Sequence, residues 1–389
     1  MLKQYKLKFY NFRLVVYLIA ISLLGVLLVG SAMKSLQTRQ LAGVIVGICL
    51  MVIISLIDFS WILNFYWVIY IVNTILLVGI RFLGHSAGGA TRWIDIGGFR
   101  FQPTEISKVL IILFFAQFFM KHEETLNSLK TLALSLVLLA LPLALIASQP
   151  DLKNTITIFI IFLAMLFVAG LSYKIIAGGI LLVVPLVIIF MTIVAQPDQD
   201  IFFLKDYQKE RIVAWIYPDS EENADNVEQQ NNSITAIGSG ELTGKGLNNN
   251  EVSSANKGNY VSQIQTDFIF AVAGEELGFI GCSLIVLLLF LITYECIRMS
   301  RRSKDLSGTI ICCGMAMIIA FQSFLNICVA TGILPNTGTP LPFLSYGLSS
   351  LISLFIGMGL VLNVGLQSTY YKPQEQHKTL METRSSDEY

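Results

Sequence analysis

The feature that most constrains this chain is a succession of uncharged apolar runs, each close to the roughly 20 residues that carry a helix across a bilayer. After a basic start with Lys3, Lys6, Lys8 and Arg13, the first run ends near Gly30 without a small-residue cleavage site. It reads as a retained span with the amino terminus in the cytoplasm. Further runs occupy 41–57, 61–80, 106–119, 132–147, 155–169 and 175–194, and after a long polar segment 268–297, 309–330 and 348–366. The expected fold is therefore all-α and polytopic, with about ten transmembrane helices and both termini cytoplasmic. Residues 1–370 read as one transmembrane domain whose large extracytoplasmic loop, 195–266, lies between spans 7 and 8. The polar tail 371–389 is expected to be disordered and cytoplasmic.

Composition excludes several function classes. Hydrophobic residues make up 54% of the chain and charged residues 13%, against roughly 25% charged in a soluble domain. Net charge is zero, so no basic field argues for nucleic acid. Cys49, Cys282, Cys296, Cys312, Cys313 and Cys328 all fall in apolar runs without paired spacing and read as small core residues. His85, His122 and His377 are scattered, so no metal ligand set is expected. The densest basic cluster, Arg298 to Lys304, falls on the cytoplasmic side, as the positive-inside rule requires. The connection 81–100 and the long loop, with Lys205, Lys209 and Arg211, break that rule and suggest an anion bound at the outer face. Within the loop, EENADNVEQQNNS reads as flexible and GSGELTGKG as tight turns; its size favours a lid over a plain connector.

Candidate chemistry gathers at the outer ends of the spans. In QIQTDFIFAVAGEELG, 263–278, a polar segment runs into an apolar helix and leaves Asp267 at the membrane surface. Asp267 or Thr266 reads as that helix's N-cap, and Asp267 as a functional carboxylate, two readings that are compatible. In GGATRWIDIGGFRFQPTEISK, 88–108, Trp93, Phe99 and Phe101 suit an interfacial belt and Pro103 the first helical turn. Glu105 and Lys108, three apart on one face, form an internal ion pair or face a substrate. Asp151 in SQPDLKN reads as a helix cap or as a third polar group in the same cavity. Lys209 and Arg211 in YQKERI bind lipid headgroups or a pyrophosphate, for which a planar guanidinium fork is well suited.

Two apparent motifs fail. GSGELTGKG lacks a Walker loop's first glycine, replaced by Ser239, and its Ser or Thr, replaced by Gly246. The Asp198–Asp200 pair resembles a nucleotide-sugar DxD without the sheet that would hold one. Asp267 and Glu275 stand eight residues apart on one helix, about 12 Å of rise, which excludes a two-carboxylate glycosidase pair from that helix. One external base suffices when the donor already carries a diphosphate leaving group. The parts fit glycosyl transfer from a polyprenyl diphosphate sugar.

TRWIDIGGFRFQPTEISK, QPD, YQKERI, AIGSGELTGKGL, TDFIFAVAGEELGFIG and GILPNTGTPLPFLSYG, in that order, closely resemble the bacterial shape, elongation, division and sporulation family of RodA, FtsW and SpoVE. The RWIDIG and TDFIF wording stands nearer RodA. The resemblance covers nearly the whole chain. It implies a ten-span plasma-membrane enzyme that polymerises lipid II into glycan strands for the cell wall, beside a class B penicillin-binding protein that cross-links them. Asp267 matches the family's essential aspartate, taken as base for the acceptor hydroxyl. Glu105, Lys108 and Asp151 match polar positions lining a central cavity, and Arg92, Lys209 and Arg211 match positions for donor phosphate or loop architecture. The residues identify no definite cofactor; the one candidate is a divalent cation (Mg or Mn) at the diphosphate. Three departures stand out: Gln265 for His, Lys153 for Gly after QPDL, and Leu348 for the second glycine of SYGG. The competing reading is a flippase of the lipid-linked precursor; charges confined to the outer third favour external chemistry.

Overall fold

The computed structural model describes residues 10–87, 90–96, 99–194, 206–217, 224–248 and 264–386. Lys3, Lys6, Lys8, Lys205, Asp198 and Asp200 lie outside these residues. In chain order the helices are α1 (Phe12–Ala32), α2 (Lys34–Leu56), α3 (Phe59–Leu63), α4 (Tyr66–Leu83), α5 (Pro103–Lys121), α6 (Leu129–Ala147), α7 (Leu152–Val168), α8 (Tyr173–Val194), α9 (Asp206–Ile216), α10 (Ala224–Ser239), α11 (Ile269–Ser300), α12 (Leu306–Ala330) and α13 (Leu348–Ser386). Among the described residues seven helices are long and apolar enough to span a membrane, and α4 and α7 are shorter apolar helices. With α8, uncharged after Lys174, the polytopic helical fold follows the run of apolar segments.

Polar side chains set several helix starts. Asn11 accepts from the Leu14 amide, Ser128 from Thr131 and Asp305 from Gly308, each satisfying an amide that the helix itself leaves bare. At the centre stands α5, begun by Pro103 and buried over nearly all its length. A helix apolar all round belongs in the middle of a bundle. Phe114 and Phe115 make ring contacts with Tyr66, Trp67 and Tyr70 of α4 and with Phe162 of α7. Along α2, Gly43 and Gly47 stand four apart, and a side chain at either would collide with Leu348 or Phe355 of α13. Small residues at this spacing let two helices approach closely inside a bilayer. Leu348, one of the departures, thus fills the groove over Gly43.

Four features depart from the sequence expectations. The connection between α4 and α5 contains a small antiparallel sheet, β1 (His85–Ala87), β2 (Ala90–Ile96) and β3 (Phe99–Phe101), in order β1-β2-β3. The Gly-Gly pairs at 88–89 and 97–98 flank an alternating ATRWIDI, a hairpin pattern. The acidic, amide-rich stretch expected to be flexible is helical from Ala224, as α10. Gln230 donates to the Val329 and Leu334 carbonyls and Ser233 to Ala330, so its polar residues hold the end of α12. The tail expected to be disordered continues α13 as far as Ser386. Apart from Pro373, its KPQEQHKTLMETR is rich in helix formers. Finally, α11 kinks at Gly278, whose φ of 65° and ψ of −163° suit glycine alone.

That kink is where GSGELTGKG docks. Lys245 and Gly246 amides donate to the Glu275 and Glu276 carbonyls, and Phe279 and Ile280 amides donate back to Glu241 and Leu242. A Cβ at Gly240, Gly244 or Gly278 would enter the opposing backbone. Lys245 also pairs with the Glu275 carboxylate at 3.1 Å, and Ser31 of α1 hydrogen-bonds Glu276. The glycine motif is thus a clasp that closes backbone against backbone.

Candidate active site at the converging helix ends

The amino-terminal ends of α5, α7 and α13, with the turn before α11, meet at the end of the bundle opposite Arg298–Lys304. Side chains tie them together. Ser349 accepts from the Gln102 amide at 3.0 Å and donates to the Arg100 carbonyl at 3.1 Å. Gln102 donates to Asp151 Oδ2 at 3.2 Å, and the Tyr346 amide donates to the Gln265 carbonyl at 2.9 Å. Each helix end also presents its positive dipole here, which favours anions.

Asp267 lies in the turn 264–267, half-exposed, and α11 begins only at Ile269 with Phe268 in the cap position and no capping side chain. The cap reading therefore does not hold. Asn326 on α12 fixes the Asp267 backbone, donating through Nδ2 to its carbonyl at 2.8 Å and to the Thr339 carbonyl at 2.7 Å. Among the described residues the carboxylate itself accepts no hydrogen bond and joins no ion pair. Facing it is Gly338, at φ 68°, where a Cβ would stand 3.1 Å from Asp267 Oδ2 and 3.9 Å from Lys153 Nζ. Only glycine lets the 336–339 turn pass so close to the carboxylate.

Glu105 and Lys108 are 4% and 2% exposed and pair at 2.9 Å. Their ion pair lets both charges enter the helical core, where an unpaired one would cost several kcal/mol. Ser350 and Lys153 also act on Glu105. Asp151 caps α7 and is fully buried, accepting from the Asn154 side chain at 2.9 Å. Arg92 on β2 donates to the Gln149 carbonyl at 3.3 Å and to that of Pro150, clamping the turn that presents Asp151. Arg211 on α9 donates to the Asn336 carbonyl at 3.3 Å, holding the other side of the same 336–339 turn. Lys209 is half-buried on the same helix.

The predicted residues fall in three groups in unlike states: Glu105 and Lys108 pair on α5, Arg92 and Asp151 hold the start of α7, and Asp267 and Arg211 meet the 336–339 turn. Glu105, Lys108 and Asp151 are buried and bonded rather than lining open space. A cavity of about 190 Å³ lies on the α9–α10 side of that turn, between Arg211, Trp215, Gln230, Asn231 and Asn336. Sequence reasoning missed Asn326, Gly338 and the reach of Lys153. An asparagine inside an apolar run was the available signal for the first.

Fold and site define a multi-pass membrane protein in which, among the described residues, the Asp267 carboxylate stands unengaged where helix ends converge. The chain belongs to the cell cycle protein family of FtsW, RodA and SpoVE, whose family model matches residues 5–370. It is 33% identical over 329 residues to the peptidoglycan glycosyltransferase MrdB of Escherichia coli strain K12, covering 85% of each chain. It is 32% identical over 372 residues to the probable peptidoglycan glycosyltransferase FtsW of Geobacter metallireducens, covering 91% of this chain and 94% of that one. Among solved structures it resembles a chain from a peptidoglycan synthase complex that coordinates polymerization and crosslinking, with a TM-score of 0.76, 26% identity, and coverage of 92% and 98%. It also resembles the rod shape determining protein RodA of Thermus thermophilus, with a TM-score of 0.66, 25% identity, and coverage of 92% and 96%.

Proposed function

We infer that the chain is a peptidoglycan glycosyltransferase that polymerises lipid II into glycan strands at the outer face of the bacterial plasma membrane, serving wall synthesis and cell shape. The observation that carries this reading is the Asp267 carboxylate: half-exposed, backbone-anchored by Asn326, and free of any capping or pairing duty. Asp267 takes the proton of the acceptor 4-hydroxyl as that oxygen attacks the anomeric carbon of the donor. The bond from that carbon to the diphosphate breaks, the electron pair leaves with the lipid diphosphate, and inversion of an α-linked donor gives a β-linked strand. No general acid is needed, because the diphosphate is already a good leaving group.

Glu105, Lys108 and Asp151 support the floor of this site, and Arg92, Lys209 and Arg211 support its rim. Among the described residues no three His, Cys, Asp or Glu side chains stand together as a metal site. A Mg or Mn ion bound at the diphosphate oxygens would help that group leave. The basic Arg298–Lys304 end faces the cytoplasm, which puts both termini there. The likeness to a complex that coordinates polymerization and crosslinking supports a class B penicillin-binding protein as partner.

Below Lys108, α5 is apolar and packed from Val109 to Ala116. That gives a flippase no polar path along the central helix. Purified chain in liposomes with labelled lipid II distinguishes the readings: polymer supports the transferase, while movement of precursor without polymer overturns it.

A further inference from the structure

Lys153 has no part in the scheme above, yet its side chain ends at the centre of the site. It leaves the first turn of α7, crosses to the 336–339 turn and donates from Nζ to the Gly338 carbonyl. The residue is half-exposed. Its ammonium lies 3.9 Å from the point that is itself 3.1 Å from Asp267 Oδ2, and its charge also acts on Glu105. Glu105 already holds Lys108 at 2.9 Å. Among the described residues Lys153 itself forms no ion pair and has one hydrogen-bond acceptor, the Gly338 carbonyl. An ammonium carries three N–H donors, so two remain to be directed at a ligand.

We propose that Lys153 is a substrate-binding residue that takes the donor's diphosphate beside Asp267; this rests on the glycosyltransferase reading. The chemistry couples the two side chains. When Asp267 accepts the acceptor's proton it becomes neutral, and the lysine charge it had balanced is left to the diphosphate. That group gains negative charge at the same moment, as its bond to the anomeric carbon breaks. A fixed cation aimed where charge develops lowers the barrier without reorganisation. The ligand it recognises is a lipid diphosphate, with the two α7 and α13 helix ends adding their dipoles.

The test uses the full chain in nanodiscs with undecaprenyl diphosphate as the probe and undecaprenol as its uncharged control. Lys153→Gln retains a donor for the Gly338 carbonyl but loses the charge, and Lys153→Arg retains both. Binding of the diphosphate should weaken at least tenfold in the Gln variant and stay within about threefold in the Arg variant. Binding by Lys153→Gln equal to wild type overturns the assignment and leaves Lys153 a strut for the turn. On the unaltered protein, amine labelling of Lys153 read by mass spectrometry should be blocked by undecaprenyl diphosphate and not by undecaprenol. Labelling that is unchanged by the diphosphate also overturns it. Polymerisation of lipid II by the wild type is read in parallel: absence of polymer overturns the glycosyltransferase reading, while the binding and labelling arms judge Lys153 separately.

Discussion

The two ends of the bundle use charge in opposite ways. At the basic end the buried charges are paired and bonded. Glu295 binds Arg298 at 2.8 Å and Asn11 at 2.9 Å, Gln367 reaches Asp58 at 2.5 Å and Asn363 at 2.9 Å, and Lys304 donates to Ser60 at 2.6 Å while lying over the Phe59 ring. At the opposite end the same economy holds for Glu105, Lys108, Asp151 and Glu275, and stops at Asp267 and Lys153. Two opposite charges share one glycine turn there without meeting. A buried pair that is broken destabilises a protein, because the survivor stays charged. A half-exposed pair held apart keeps its lone pairs and protons for a ligand, and this contrast separates the chemistry from its support.

The contrast can be broken at several points, in decreasing order of effect. Glu105→Ala leaves Lys108 buried without its partner and should cost about 3–5 kcal/mol of stability, read by unfolding in detergent; a Glu105→Gln, Lys108→Met double variant should recover most of it. Stability equal to wild type in Glu105→Ala would move that pair to the working side of the comparison. Asp267→Glu displaces the carboxylate by one methylene and should slow polymerisation about 10²-fold with the melting temperature unchanged. Loss of folding would make Asp267 structural. Gly278→Ala forces a side chain into a glycine-only conformation at the clasp and should cost about 1–3 kcal/mol. Gln367→Ala removes a hydrogen bond to the buried Asp58 at the basic end and should cost about 1–3 kcal/mol of stability, with polymer made per folded molecule unchanged. Lys245→Met, which takes from the buried Glu275 carboxylate a lysine that is itself about a quarter exposed, should likewise cost about 1–3 kcal/mol.

Much of this was legible in the chain itself, because hydrophobic length and charge position report directly on a bilayer. The apolar helices, the position of Asp267 at a helix end and the Glu105–Lys108 pairing follow from periodicity and from the cost of an unpaired charge. What was not legible depends on contacts between distant segments. Nothing local to GSGELTGKG says that its glycines face Gly274 and Gly278 of α11. The α10 stretch looks flexible until its amides and hydroxyls are seen to serve the carbonyls that end α12. Likewise Lys153, visible only as an odd residue after QPDL, shows its reach only once the 336–339 turn is brought over α7.

That the Asp267 carboxylate, unengaged among the described residues, does the chemistry is the central claim. Its most direct test is the polymer ladder made from labelled lipid II by purified wild type and by Asp267→Asn at equal amounts of folded protein. A ladder from the wild type and none from the Asn variant is the predicted result. A ladder of equal intensity from both would contradict it.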